Sequence, residues 1–243
     1  MLISLYILIA TYLTILSVTL YLHRSMTHGS VKFNKYIEYL MRTWLWLNTG
    51  MKTFEWVAIH RYHHKHTDTR LDPHSPNNHG WLKVLFYGAM LYVKEKSKPE
   101  ILKEVHGDDT LPNDFFERNI FATNYNYMGI FLMLGFNIGV FGFIGFFIWL
   151  FQVLWIPFWA AGIINGVSHT FGYTNFKKHT APEKIGNSKN IFPLGIIIGG
   201  EELHNNHHRD MSSAKFSYKW YEFDMGWLII LFLKFFGLAK LQK

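Results

Sequence analysis

The sequence predicts an all-α integral membrane protein, in which a bundle of three transmembrane helices carries a cytoplasmic helical cap. Three observations predict this class. Of the 243 residues, 49% are hydrophobic and 18% are aromatic, which is a high share for a water-soluble protein. Two long tracts, residues 1–22 and 119–176, contain no Lys, Arg, Asp or Glu. Most of the 14 histidines gather in short clusters outside these tracts.

The two uncharged tracts predict the three membrane spans. A spanning helix needs about 20 apolar residues, so residues 1–22 suit one crossing. Residues 121–141 and 143–164 suit two more, and the glycines between them predict a turn that makes these two helices antiparallel. The first tract lacks a positively charged start and a small-residue cleavage site, which predicts a retained span rather than a cleaved signal peptide.

The positions of the charges predict the orientation of the chain. The hairpin returns to its starting side, so residues 23–118 and 165–243 share one compartment. These two segments contain all 24 Lys and Arg, and the positive-inside rule makes their compartment the cytoplasm. The expected location is a bacterial inner membrane or the endoplasmic reticulum, with the active site on the cytoplasmic side.

The net charge of +7 favours contact with anionic lipid headgroups or an acidic partner protein. Nucleic acid is excluded as a partner, because the basic residues flank membrane segments and no nucleic-acid-binding motif is found. The chain has no cysteine, which excludes disulfides, iron–sulfur clusters and Cys-ligated zinc.

No internal repeat divides the chain, so residues 1–243 are predicted to form one domain. Residues 36–59 are largely apolar but carry Glu38, Arg42 and Lys52. A charge near the bilayer centre costs at least about 2.5 kcal/mol, so this segment is predicted to be an interfacial helix. Residues 221–240 predict a second interfacial helix, and a short fourth span is the alternative for that segment.

Four groups of histidines are candidate metal ligands. They are His23 and His28; His60, His63 and His64; His169; and His204, His207 and His208. Spacings of three and four residues place imidazoles on one face of a helix, as a shared metal requires. Crowded imidazoles would repel one another as cations, whereas neutral imidazole is the commonest metal ligand.

These nine histidines exceed the four ligands of a zinc site, which predicts two metal ions. Imidazole suits iron, zinc, copper and nickel, so the ligand type alone leaves the metal open. A pair of metals beside an acyl-chain environment, without a hydrolytic nucleophile, favours oxygen activation at two irons.

With these motifs the sequence resembles the integral-membrane fatty-acid desaturases of the stearoyl (delta-9) type, over about residues 16–240. The family's first box, His-x4-His, matches His23 and His28. Its second box, His-Arg-x-His-His followed by Asp-Pro-His, matches residues 60–74. Its third box, His-Asn-x-His-His, matches residues 204–208. The resemblance implies a four-helix membrane domain with a di-iron site.

The resemblance also implies roles for residues outside the boxes. His169 is the ninth iron ligand, and Asn165 holds a water on one iron. His66 and His74 are not ligands. Four nearby carboxylates either orient imidazole N–H groups or are solvated turn charges; they are Asp68, Asp72, Glu201 and Glu202.

By the same resemblance, the protein uses O2 and two iron ions to introduce a cis double bond, at the delta-9 position, into a saturated acyl chain. The chain arrives as a CoA, lipid or carrier-protein ester, and a closed tunnel selects the reacting carbon. Candidate tunnel residues are Ile7, Thr11 and Trp56; the alternatives are that the first two face lipid and that Trp56 anchors at the interface. Electrons come from a ferredoxin or cytochrome b5-type donor, since the chain has no haem-attachment motif and no dinucleotide-binding glycine fingerprint.

The chain departs from the family in two places. Family members commonly have four spans in two hairpins, whereas three are predicted here, so the first hairpin lacks its partner helix. Ala58 and Ile59 stand where the animal acyl-CoA enzymes have Arg-Asp. One alternative function is a di-iron fatty-acid or sterol hydroxylase or ketolase. Another is a metal transporter or sensor, but residues 121–164 contain neither His nor an acidic residue.

Overall fold

The structure, a computed structural model, describes residues 1–177 and 185–242 and is mainly helical, as predicted. The helices are α1 (Leu2–Ser17), which continues as the π-helix Val18–Thr27, α2 (Lys35–Thr49), α3 (Thr53–Lys65), α4 (Pro76–His79), α5 (Trp81–Glu95), α6 (Pro99–Leu102), α7 (Met128–Phe141), α8 (Ile144–Ile156), which continues as the π-helix Pro157–Val167, α9 (His204–Arg209) and α10 (Met225–Phe235). Short helical turns lie at Lys103–Val105, Glu117–Phe121 and Glu201–Leu203. Strand β1 (Val31–Phe33) pairs antiparallel with β4 (Ala239–Leu241), and β2 (Leu194–Gly195) pairs parallel with β3 (Phe223–Asp224).

Within the described part of the chain, two continuous helices are long and apolar enough to cross a membrane. They are Leu2–Thr27, with 26 residues, and Ile144–Val167, with 24 residues. At about 1.5 Å per residue, each is longer than the roughly 30 Å of a bilayer's hydrocarbon core. They correspond to the first and third predicted spans.

The predicted span 121–141 is shorter than expected, because α7 begins only at Met128 and has 14 residues. The preceding residues form turns in which polar side chains bond the backbone. The Thr123 hydroxyl donates to the Ile120 carbonyl at 3.1 Å, and the Asn126 amide donates to the Gly50 carbonyl. Those bonds fix a non-helical path, so the helix cannot extend back to residue 121.

Helices α7 and α8 form the predicted hairpin, which turns at Gly142 with a φ of +62°. The helices approach closely at Gly145, where a Cβ would collide with the Asn137 backbone. The Asn137 amide donates to the Gln152 side-chain oxygen at 3.1 Å, which joins the two helices in their buried interior. Their outer faces expose large apolar side chains, including Phe131 at 63%. Such a surface suits contact with lipid.

The predicted interfacial helix 36–59 is two helices, α2 and α3. Helix α2 is capped by the Asn34 side chain, which accepts from the Tyr36 N–H at 2.9 Å, and it ends at Gly50 with a φ of +61°. Glycine adopts this left-handed conformation without steric cost, so it stops the helix. The chain then restarts as α3, which carries the second histidine box.

The predicted interfacial helix 221–240 is shorter than expected. Asp224 caps α10 by accepting from the Trp227 N–H at 2.9 Å, so the helix begins at Met225. It ends at Phe235, and Gly237, with a φ of +70°, turns the chain into β4. The pairing of β4 with β1 ties the C-terminal segment to the chain directly after the first histidine box.

The extension of α8 lies against α5. Glycines allow this close approach: a Cβ on Gly162 would meet the Leu85 carbonyl, and one on Gly88 would meet Ala161. The main apolar core, which includes Leu22 and Ile164, lies between the extensions of α1 and α8 and helix α2. This packing places His23, at the end of the core, on the wall of the same cavity as Asn165.

Candidate metal centre

Five histidines from three segments form the first group: His23, His28, His60, His64 and His207. One ring nitrogen from each lies within 4.8 Å of the corresponding nitrogen of every other member. The Nε2 atoms are separated by 2.9 Å between His23 and His207 and by 3.0 Å between His64 and His207. The Nε2 atoms of His60 and His64 are 2.9 Å apart.

Four histidines form the second group: His63, His169, His204 and His208. The His204 Nε2 lies 2.9 Å from the His169 Nε2 and 3.0 Å from the His208 Nε2. The two groups adjoin, since the rings of His64 and His208 are 4.5 Å apart. All nine histidines that the sequence predicted as ligands therefore lie together, whereas His66 and His74 belong to neither group.

The sequence predicted that each histidine triplet would share one metal, but the structure divides each triplet between the groups. In α3, His60 and His64 face the first group while His63 faces the second. In α9, His204 and His208 face the second group while His207 faces the first. Residues four apart are offset by about 40° around a helix and residues three apart by about 60° in the other direction. Each helix therefore presents two histidines on one side and one on the other.

Hydrogen bonding alone cannot satisfy these ring nitrogens. The Nε2 atoms of His64, His204 and His207 each have two other Nε2 atoms within 3.0 Å. A ring nitrogen carries either a hydrogen or a lone pair, so it cannot donate to one neighbour and accept from another. The Nε2 atoms of His28 and His63 are buried and have no hydrogen-bond partner among the described residues.

A metal ion fits this arrangement. Two nitrogens about 2.1 Å from a metal and at right angles to each other are roughly 3.0 Å apart, which is the separation observed. Burial lowers the pKa of His60, His64, His204 and His207 well below the ordinary value, so these imidazoles are neutral and can offer lone pairs. A donor set of nine imidazoles suits two ions of a metal that favours nitrogen ligands.

Carboxylates orient three of the imidazoles. The Nδ1 of His23 lies 2.7 Å from Glu201 Oε1, and the Nδ1 of His63 lies 3.0 Å from both oxygens of Asp72. The Nδ1 of His169 lies 2.9 Å from Asp68 Oδ2. An ionised carboxylate only accepts, so each of these Nδ1 atoms carries the hydrogen and each Nε2 keeps its lone pair for a metal.

Electrostatics keep these carboxylates ionised. Burial raises the pKa of Asp72, but the contacts with His63 and His74 together outweigh burial and lower the pKa to about 2. The pKa of Asp68 is also lowered, because His169 and the Asn187 N–H outweigh burial. The fourth carboxylate, Glu202, differs, since it accepts from the backbone N–H groups of Ile198 and Gly200.

A cavity of about 300 Å³ adjoins the histidines. Its wall includes His23, His60 and Asn165, and most of the remaining lining is apolar. Trp56 lines the cavity and stacks on the His60 ring at 4.7 Å. The predicted position of Trp56 in a tunnel wall therefore matches the cavity better than an anchor at the interface.

Ile7 and Thr11, also predicted as tunnel residues, lie outside the cavity lining. Helix α1 contributes Ile15 instead, and its extension contributes Val18 and Thr19. The Thr11 hydroxyl donates to the Ile7 carbonyl at 2.7 Å, so its polar group bonds its own helix. One turn nearer the cavity, the Trp44 indole donates to the Thr14 hydroxyl at 3.0 Å, so α2 covers α1 at that level.

The sequence analysis missed Arg24, which is fully buried beside His23. Its guanidinium bonds the Asp224 carboxylate at 3.0 Å, lies 3.5 Å from Glu201, and covers the Phe216 ring at 3.7 Å. It thereby joins the first box to the third box and to the C-terminal segment. A charged residue inside the first box was the available signal, but its partners are about 180 to 200 residues away.

Comparisons with known proteins agree with this geometry. A family model described as fatty acid desaturase matches residues 1–235. The chain is 31% identical over 230 residues to an acyl-CoA 5-desaturase of Anemone leveillei, a match that covers 91% of this chain and 65% of that protein. It is 31% identical over 226 residues to an sn-1 stearoyl-lipid 9-desaturase of Synechocystis sp., which covers 93% of this chain and 66% of that protein. A delta-9 acyl-lipid desaturase of Arabidopsis thaliana is 30% identical, with 92% of this chain and 69% of that protein covered. The chain thus spans about two thirds of the length of these relatives.

Proposed function

The chain belongs to the fatty acid desaturase family, and from that premise we propose that it is a membrane acyl desaturase that introduces a cis double bond at the delta-9 position of a saturated acyl chain. The observation that carries the proposal is the convergence of nine histidines, in two groups, beside a largely apolar cavity. The family match over residues 1–235 supports a single desaturase domain.

The nine histidines would hold two iron ions, five around one and four around the other. Bound iron would supply the activation of O2 that removing hydrogen from an unactivated methylene requires. The chain's own residues fix the arrangement: Glu201, Asp72 and Asp68 each hold one imidazole in the tautomer that directs Nε2 inward. Asn165, on the cavity wall, is proposed to act on the four-histidine group through a water.

The cavity would bind the acyl chain. All methylenes of a saturated chain have similar intrinsic reactivity, so the choice of carbon must come from placement. Apolar side chains such as Ile15, Ile59 and Ile156 line the space next to His23 and His60. Trp56, packed on His60, would hold the reacting segment against the imidazoles.

We place the protein in a membrane, with the histidine groups on the cytoplasmic side. Two helices of spanning length, the exposed apolar faces of α7 and α8, and the family support this placement. The orientation is supported by the distribution of Lys and Arg outside the uncharged tracts.

An external protein would supply the electrons. A small acidic carrier of the ferredoxin or cytochrome b5 type suits the basic chain, with its net charge of +7. The alternative hydroxylase or ketolase function is not favoured, because the relatives found bear the names of desaturases.

Product analysis tests the proposal. The chain is expressed in a host that lacks its own acyl desaturase, and total fatty acids are analysed by gas chromatography with mass spectrometry. We expect new cis monoenes, with the double bond located by derivatisation, and about two irons in each purified chain. Hydroxy acids in place of monoenes would instead support the alternative function. Unchanged fatty acids from an iron-loaded, folded protein would contradict both.

A further inference from the structure

The cavity beside the histidines also contains polar side chains that the metal centre does not use. Its lining residues include Asn48 near the end of α2, Tyr92 on α5, and Lys96 directly after α5. Lys96 is paired with Glu55, which lies five residues before His60 on α3. Five residues of an α-helix, at about 1.5 Å per residue, correspond to one to two helical turns, so Glu55 lies that far along α3 from His60.

Two of these side chains have buried polar atoms without partners. The Tyr92 hydroxyl and the Asn48 Oδ1 are buried and make no hydrogen bond to any described residue. The Asn48 Nδ2 donates to the Trp44 carbonyl at 2.9 Å, which fixes the other amide atom as the unpaired oxygen. A buried polar atom without a partner is costly, so each calls for a bound molecule or water in the cavity.

The charges of this region do not balance. The Lys96 ammonium lies 2.7 Å from one oxygen of Glu55, and the Lys52 ammonium lies 3.8 Å from the other. The three side chains are only 15%, 13% and 9% exposed for Lys96, Lys52 and Glu55. Among the described residues, no other carboxylate forms an ion pair with either ammonium. Two ammonium groups therefore share one carboxylate, which leaves one positive charge uncompensated, and mostly buried charges need an opposite partner.

We propose that Asn48, Lys52, Glu55, Tyr92 and Lys96 form an ester-binding cluster that holds the headgroup end of the acyl substrate. The Tyr92 hydroxyl donates to the carbonyl oxygen of the ester or thioester, and the Lys96 ammonium, which lines the cavity, binds a phosphate-bearing headgroup. The hydrocarbon then runs along the apolar wall toward His23 and His60. This inference rests on the proposed function and narrows its substrate class to acyl esters with an anionic phosphate group.

Phospholipids and CoA esters both offer that chemistry, so the test separates the two sources. Equilibrium binding to the purified full-length protein is measured by calorimetry with three stearoyl probes in matched detergent. The probes are 1-stearoyl-lysophosphatidylglycerol, stearoyl-CoA and uncharged 1-monostearoylglycerol. We expect at least one phosphate-bearing probe to bind about tenfold tighter than monostearoylglycerol, as a charge-assisted contact implies. If the lysophospholipid binds more tightly, the headgroup is that of a phospholipid; if stearoyl-CoA binds more tightly, it is CoA.

Two conservative variants separate the charge from the hydrogen bond. Lys96→Gln should remove most of the advantage of the phosphate-bearing probes and leave monostearoylglycerol binding unchanged. Tyr92→Phe should weaken all three probes about fivefold, since each has the carbonyl. It should not lower the thermal midpoint of the ligand-free protein, because the hydroxyl has no partner to lose. Lys94→Gln and Tyr87→Phe, on exposed positions of the same helix, are the matched controls.

Equal affinity for the three probes, or a Lys96→Gln variant that keeps the full preference for phosphate, would overturn the cluster as a headgroup site. Binding is scored independently of turnover, so the outcome is distinct from that of the product analysis. If monoenes form but binding shows no preference for charge, the headgroup site is contradicted and the desaturase function is retained. If binding depends on charge but no monoenes form, the headgroup site is retained and the desaturase function is contradicted.

Discussion

The two histidine groups share a ligand type but differ in how the protein supports them. All members of the four-histidine group are buried, and two of them, His63 and His169, are bonded to carboxylates from the turn that follows α3. The five-histidine group has one such bond, from His23 to Glu201, and His28 and His60 are only half-buried. The four-histidine group is thus a buried site with two oriented imidazoles, whereas the five-histidine group is more exposed and has one more histidine.

The two groups also differ in what surrounds them. The five-histidine group adjoins an open surface depression lined by His28, His64 and Arg61. All members of the four-histidine group are buried, and its proposed non-histidine member, Asn165, lies on the cavity wall. One group is therefore partly open to the surface, whereas the other is closed and has its proposed water-binding residue on the cavity.

The largest expected effect comes from removing one histidine of each group. His63→Ala and His64→Ala change adjacent residues that face different groups. Each variant should bind about one iron in place of two and lose turnover, because both ions are needed for O2 chemistry. Elemental analysis gives iron per chain, and gas chromatography gives monoenes. His66→Gln, outside both groups, is the control and should keep both irons. Full iron and turnover in His63→Ala would contradict the assignment.

A smaller effect is expected from the carboxylates that orient the imidazoles. The variants to test are Asp72→Asn, Asp68→Asn and Glu201→Gln. Each keeps the shape of the side chain but replaces a carboxylate, which only accepts hydrogen bonds, with an amide that also donates. Loss of such an orienting contact typically lowers metal affinity about 10–100-fold. Competition with a chelator of known affinity measures it.

The two aspartate variants should weaken one iron, and the glutamate variant should weaken the other. Asp210→Asn, an exposed carboxylate next to α9, should change neither. If the three orienting variants all weakened the same iron, the grouping of the ligands would be incorrect.

Sequence patterns predicted which histidines lie together, because each box is a local motif that can be read from its spacing in the chain. They did not predict how the boxes combine. Helical periodicity places His60, His63 and His64 near one another, but whether they share one metal depends on the residues that approach from α9 and the extended α8. Those contacts join segments more than 100 residues apart, such as His169 and Asp68.

The same limit explains the errors in the fold. Hydropathy continued through Gly50 and suggested one helix over 36–59, although a glycine after an apolar helical run is also a common helix end. The end of α10 was misjudged because β4 pairs with β1, about 200 residues earlier. Ile7 and Thr11 were placed in a tunnel by analogy, whereas the depth of the cavity depends on how α2 covers α1.

A still smaller effect should come from Asn165→Ala. If Asn165 acts through a water, the variant should keep two irons, since it removes no direct ligand, while turnover falls roughly tenfold, at the low end of the range for losing a residue that supports a metal site indirectly. Iron analysis and product formation are measured on the same preparation. Asn124→Ala, an exposed turn position, is the control. Loss of an iron from Asn165→Ala would make Asn165 a direct ligand.

The smallest expected effect is on the rate at which a chelator removes iron, and it does not require a change in turnover. A hydrophilic chelator can approach the five-histidine group through the depression beside His28 and His64, whereas all four members of the other group are buried. Iron should therefore leave the wild-type protein in two phases of similar amplitude. The absorbance of the iron chelate measures this release over time. Met211 lines the depression, so Met211→Trp should narrow it and slow only the fast phase. A single phase, or equal slowing of both phases, would mean that exposure is not what separates the two groups.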